Sequence, residues 1–70
     1  MDTLRINGQD KEFAAGKMPT TLADLLKHLG IDEITAAAEV DGQIIERQNF
    51  AHTVLRTGQD IELIRFMGGG

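Results

Sequence analysis

Three consecutive glycines, Gly68, Gly69 and Gly70, close the sequence. Glycine has no Cβ, so a glycine backbone can thread a narrow tunnel and approach other groups closely, at a high entropic cost when it is ordered. A terminal carboxylate is a poor electrophile. It becomes reactive when a nucleotide-using enzyme converts it to an acyl adenylate, from which a sulfur or amine nucleophile displaces AMP. An unhindered Gly70 carboxylate suits that chemistry, with Gly68 and Gly69 as the arm that reaches into a partner. Three glycines at a chain end also fit a frayed terminus with no role.

The other side chains offer less chemistry. There is no cysteine, which excludes disulfides, thiolate metal sites, cysteine nucleophiles and Cys-X-X-Cys redox chemistry. His28 and His52 are isolated from one another in sequence and read as surface residues rather than zinc ligands. Asp32-Glu33 reads as solvated loop charge, and Asp24 as a helix cap. With no acid–base pair in sight, the chain is expected to supply a reacting group and not to be an enzyme. Partner enzymes would supply general bases, ATP binding and any nucleophilic cysteine. No metal or cofactor is expected on the chain itself. Seven basic residues against eleven acidic ones give a net charge of −4, and the basic residues are scattered. Nucleic-acid binding needs clustered Lys and Arg to neutralise phosphates, so that class is excluded. Apolar runs are too short to span a bilayer, and the Met1-Asp2-Thr3-Leu4-Arg5 start lacks a signal-peptide layout. A cytoplasmic location is the expectation.

Stability in a 70-residue chain without cysteine must come from regular packing. Thr3-Leu4-Arg5-Ile6 alternates, and Asn7-Gly8 is a hairpin signal because both central residues of a type I′ turn need positive φ. Gln9 to Ala14 is the return strand, with Phe13 as its main apolar residue, and Ala15 to Pro19 is loop. Thr20 to Leu29 is the clear helix. Thr20 or Thr21 can cap it, with Asp24 at capping-box spacing from Thr21. Leu22, Leu25, Leu26 and Leu29 make one apolar stripe, and Gly30 is placed to stop the helix. Ala36 to Val40 is a small-residue strand, Asp41-Gly42 a second hairpin signal, and Gln43 to Glu46 its return. Arg47 to Arg56 is irregular, with Phe50, Val54 and Leu55 expected to pack over an end of the core. After a turn at Thr57-Gly58-Gln59, Asp60 to Met67 is the last strand. The class is therefore α+β, a mixed sheet of about five strands with one main helix packed on one face. The expected organisation is one domain over residues 1–67 and a flexible tail over 68–70. Within the last strand Ile61 and Leu63 should face the core. Ile64 and Phe66 then fall on the other face, and with Arg65 and Met67 they form a candidate partner-docking patch beside the tail.

These residues resemble one family closely, the thiamine-biosynthesis sulfur carriers (ThiS) of the ubiquitin-like β-grasp superfamily. The likeness is carried by Ile6-Asn7-Gly8, by Thr21-Leu22-Ala23-Asp24-Leu25-Leu26 and by Ala38-Glu39-Val40-Asp41-Gly42-Gln43-Ile44-Ile45. It continues through Arg47, Thr53-Val54-Leu55 and Gly58 to the most specific block, Ile61 to Gly70. The resemblance implies a β-grasp fold and a Gly70 carboxylate that is adenylated with ATP by an adenylyltransferase resembling ubiquitin-activating enzymes. The carboxylate is then converted to a thiocarboxylate by way of a sulfur donor enzyme and delivers sulfur to thiazole synthase. Glu46 departs from the family's frequent Pro, Phe50 from its frequent Trp, and Thr57-Gly58-Gln59-Asp60 from its common Asp-Gly-Asp turn. None of these touches the tail. Two alternatives share the fold: a sulfur carrier for molybdopterin, cysteine or tRNA thiolation, and a ubiquitin-like modifier or binding module.

Overall fold

The computed structural model describes residues 1–66; Met67 and the tail expected at Gly68, Gly69 and Gly70 lie outside the described residues. The chain runs β1 (Asp2–Ile6), β2 (Gln9–Phe13), α1 (Leu22–Leu29), a 3-10 turn (Glu33–Thr35), β3 (Ala36–Val40), β4 (Gln43–Ile45), a longer 3-10 segment (Arg47–His52) and β5 (Asp60–Arg65). The five strands form one sheet in the order β2-β1-β5-β3-β4. β1 and β5 are parallel, and the other three pairings are antiparallel. The expected mixed sheet with one main helix is what the chain forms.

Of the two candidate caps Thr21 is the one used, so the helix starts at Leu22, two residues later than the expected Thr20. Thr21 sits in extended conformation and its Oγ1 accepts the Asp24 N–H at 3.1 Å, satisfying one of the donors that a helix start leaves without a partner. At the other end Gly30 takes φ 72°. Its N–H donates to the Lys27 carbonyl and the Ile31 N–H to the Leu26 carbonyl, the paired bonds of a Schellman end. Ile31 also packs against the core, so the same turn that stops the helix adds apolar contact.

Leu22, Leu25 and Leu26 are buried against Leu4, Val40, Ile61 and Leu63 of the sheet. Full burial of such a side chain stabilises by roughly 1.5–3 kcal/mol, against a total stability of roughly 4–10 kcal/mol for a domain of this length. The Arg47–Arg56 crossing closes one end of this core with Phe50, 1% exposed, and Leu55. Val54 does not join them. It is 58% exposed, because Thr53 to Leu55 runs extended and pairs with the helix start: Leu22 N–H donates to the Thr53 carbonyl and Leu55 N–H to the Thr20 carbonyl. Adjacent residues of an extended segment point to opposite sides, so burying Leu55 turns Val54 out.

Glu46, where the family often has proline, has φ −70° and ψ 145°, within the range that a pyrrolidine ring imposes. The register pairs Val40 with Gln43 around the two-residue turn. Alternation of the ladder then places position 46 where an edge-strand N–H points away from β3. Glu46→Pro is therefore expected to raise stability by about 0.4–1 kcal/mol, read as a higher urea midpoint at unchanged slope.

Candidate functional site

The proposed reacting group is at Gly70, and the strand that leads to it is β5. This strand lies in the middle of the sheet, and both of its neighbours end in a tight turn that holds it. On the β1 side, Arg5 N–H donates to the Gln59 carbonyl at 3.0 Å and Asn7 N–H to the Ile61 carbonyl at 2.9 Å. Asn7 and Gly8 have φ 51° and 81°, the pair of positive values that a type I′ turn requires. The backbone leaves the ladder there, and the Asn7 side chain takes over. Its Oδ1 accepts the Leu63 N–H at 2.7 Å. On the β3 side, Asp41 and Gly42 have φ 50° and 83°. Asp41 N–H donates to the Asp60 carbonyl at 2.8 Å, and its Oδ1 accepts the Asp60 N–H at 2.9 Å. Each turn thus needs a residue that tolerates positive φ and carries a short acceptor, which Asn and Asp both do. Beyond the strand, Phe66 N–H donates to the Thr35 carbonyl at 2.7 Å, so the pairing continues to the last described residue.

β5 sends Ile61 and Leu63 into the core and leaves Glu62 and Ile64 on the face away from the helix. Ile64 and Phe66 are 56% and 58% exposed, as the alternation predicts. The candidate docking set does not stay together, however. Arg65 pairs with Ala36, whose side chain is buried on the helix side, so Arg65 belongs to the opposite face from Ile64. Met67 lies outside the described residues. A residue not singled out in the sequence takes a place in the patch: Ile44, 78% exposed. Ile45, its neighbour, is partly buried against the core, and strict alternation across Gln43-Ile44-Ile45 is the signal that would have found Ile44. The register sets Ile44 opposite Glu39, Glu39 opposite Glu62, and Ala37 opposite Ile64. Ala37, Ile44 and Ile64, with the two glutamates, enclose a depression of about 100 Å³.

The remaining candidates have structural roles. His28 is exposed and rests edge-on against Phe13, with ring centroids 5.6 Å apart; Lys11 Nζ lies 5.9 Å from the same ring. His52 is exposed at the end of the longer 3-10 segment. Asp24 donates its N–H to the capping Thr21. Asp32 does more than carry solvated charge, since its Oδ1 accepts the Ile34 N–H at 3.0 Å and caps the first 3-10 turn. Among the described residues no three His, Asp or Glu side chains converge as a metal site, and no helix is long and apolar enough to cross a membrane.

A mixed five-stranded sheet, a central strand that comes last in the chain and one helix across one face define the ubiquitin-like β-grasp class. The sequence profile of the ThiS family matches residues 4–70, and the chain belongs to that family. It is similar to a thiamine biosynthesis protein (ThiS) of Geobacter metallireducens in its crystal structure, with a TM-score of 0.77, 29% identity, and 97% of this chain and 99% of that one covered. A solution structure of a thiamine biosynthesis protein from the same organism gives a TM-score of 0.76 and 30% identity over 100% of this chain and 88% of that one. Two proteins called thiazole synthase, from Paramagnetospirillum magneticum and Magnetococcus marinus, are each 33% identical over 67 residues. The match takes in 96% of this chain but spans only about a fifth (20%) of the length of either relative.

Two outcomes follow from this geometry. Asn7→Gly keeps the positive φ and removes only the acceptor, and should cost about 1–3 kcal/mol in urea unfolding because the Leu63 N–H loses its partner. Asn7→Ala adds the strain of positive φ and should cost more. Ile64→Ser and Phe66→Ser, by contrast, should each move stability by no more than about 0.5 kcal/mol, since neither side chain is part of the core.

Proposed function

We propose that the chain is the sulfur carrier of thiazole formation in thiamine biosynthesis. The observation that carries this reading is the family match, which extends over residues 4–70 and so takes in the glycines. In the proposed cycle an adenylyltransferase resembling ubiquitin-activating enzymes uses ATP to adenylate the Gly70 carboxylate. A sulfur donor enzyme then supplies the sulfur that displaces AMP, leaving a thiocarboxylate. Thiazole synthase receives that sulfur. Gly68 and Gly69 form the arm that enters each partner, where a side chain would obstruct the approach. The carrier is a protein co-substrate rather than an enzyme, binds no cofactor itself, and works in the cytoplasm.

The thiazole synthase step draws support from the two relatives in which a segment like this chain is a fifth of a protein of that name. Joining a carrier to its acceptor raises their effective concentration without any new contact, an advantage only if the two meet in the reaction. Docking is assigned to the outer sheet face through Ile64 and Phe66, with Ile44 added, while Arg65 would reach a partner from the helix side.

Incubation with the activating enzyme, ATP and a sulfur source should raise the intact mass by the difference between one sulfur and one oxygen atom. Removing Gly70 should abolish that change without altering the fold; an unchanged mass shift in the truncated protein would sink the reading. Disruption of the gene should create a requirement for thiamine and leave molybdoenzymes active.

A further inference from the structure

The depression on the outer face has a composition that selects its occupant. Ala37 contributes only a methyl group, so the space between Ile44 and Ile64 stays open, at about 100 Å³. That is room for one extended side chain. At one end stand Glu39 and Glu62, directly opposite each other across the β3–β5 ladder. Like charges in such a pair destabilise a sheet. Neither has a cation directly opposite: Glu39 faces Ile44 on its other side, Glu62 falls past the end of the β1 pairing at Ile6 and Ile61, and Arg5, diagonal to Glu62 on this face, stands between two acids of its own, Asp10 and Asp60. The chain as a whole carries a net charge of −4. An apolar slot ending in two acceptor-only groups matches a side chain with an aliphatic stem and a cationic head.

We propose that this slot receives one basic side chain of the activating enzyme, its stem between Ile44 and Ile64 and its head shared by Glu39 and Glu62. The inference rests on the carrier reading, since it supposes that an activating enzyme docks on this face. Two carboxylates side by side suit the divided donors of a guanidinium, and the partner's charge relieves the repulsion that the free carrier holds. The slot thereby gives specificity as well as contact, because a partner without the cation would leave two carboxylates desolvated and unpaired.

The test is ATP–pyrophosphate exchange by the activating enzyme with the whole carrier as the varied substrate. E39Q/E62Q should fold at least as stably as the wild type in thermal unfolding, because the repulsion is gone. Its KM in exchange should nonetheless rise about tenfold or more, with kcat within about twofold, and KM should depend less on salt than in the wild type. Ala37→Leu fills the slot and keeps both charges; it should raise KM to a similar extent, and its unfolding midpoint tells whether it remains folded. An unchanged KM and salt dependence in E39Q/E62Q, with the wild type active, overturns the slot and leaves the carrier reading standing. A wild type that supports no exchange at all removes the carrier reading and the slot with it.

Discussion

Everything in this fold depends on β5 being hydrogen-bonded along both edges. It is the one strand that joins the two halves of the sheet, with the β1–β2 hairpin on one side and the β3–β4 hairpin on the other. Its inward residues, Ile61 and Leu63, lie under the helix, and its outward residues build the candidate docking face. The join is secured at the two points where it is most vulnerable, the hairpin turns, where a strand stops offering backbone partners. There the side chains of Asn7 and Asp41 supply the missing acceptors. The same two residues accept the positive φ that the turns impose. A backbone donor shielded from water is costly to leave without a partner, which bears most on the part-buried Leu63 N–H, and one residue at each turn settles a conformational requirement and a hydrogen-bonding one together.

The helix depends on this sheet and on the crossing that precedes β5. Eight residues are too few for a helix to persist alone in water. α1 is held by its caps, by four buried positions and by a backbone bridge from Thr21 to Val54. That bridge fixes the crossing, which in turn delivers Phe50 and Leu55 to the core and the chain to the start of β5. The position of the last described strand is therefore set by the entire domain.

Much of this was legible in the sequence because each signal had a single physical cause. Asn-Gly and Asp-Gly announced two type I′ turns, the leucine spacing announced the helix, and Gly30 announced its end. What was not legible were the second functions of the same residues. Nothing local in Asn7 or Asp41 tells that their side chains will bond to a strand more than fifteen positions away. Val54 and Ile44 were open to a better reading, since strict alternation separates each from its inward neighbour. The division of the candidate patch has the same origin: Ile64 and Arg65 are adjacent in sequence and for that reason lie on opposite faces. The pairing of Glu39 with Glu62 needed the register, which emerges only from the assembled sheet.

The place of β5 has a consequence for how the molecule comes into being. During synthesis the two hairpins and the helix leave the ribosome before the strand that unites them, and the parallel contact between β1 and β5 joins residues more than fifty positions apart. Such distant pairings form slowly because a long loop must close before they are rewarded. Until residues 60–65 have emerged, no strand joins the two hairpins and the core lacks Ile61 and Leu63. The outer face that carries Glu62 and Ile64 therefore exists only once residues 60–65 have paired with β1 and β3.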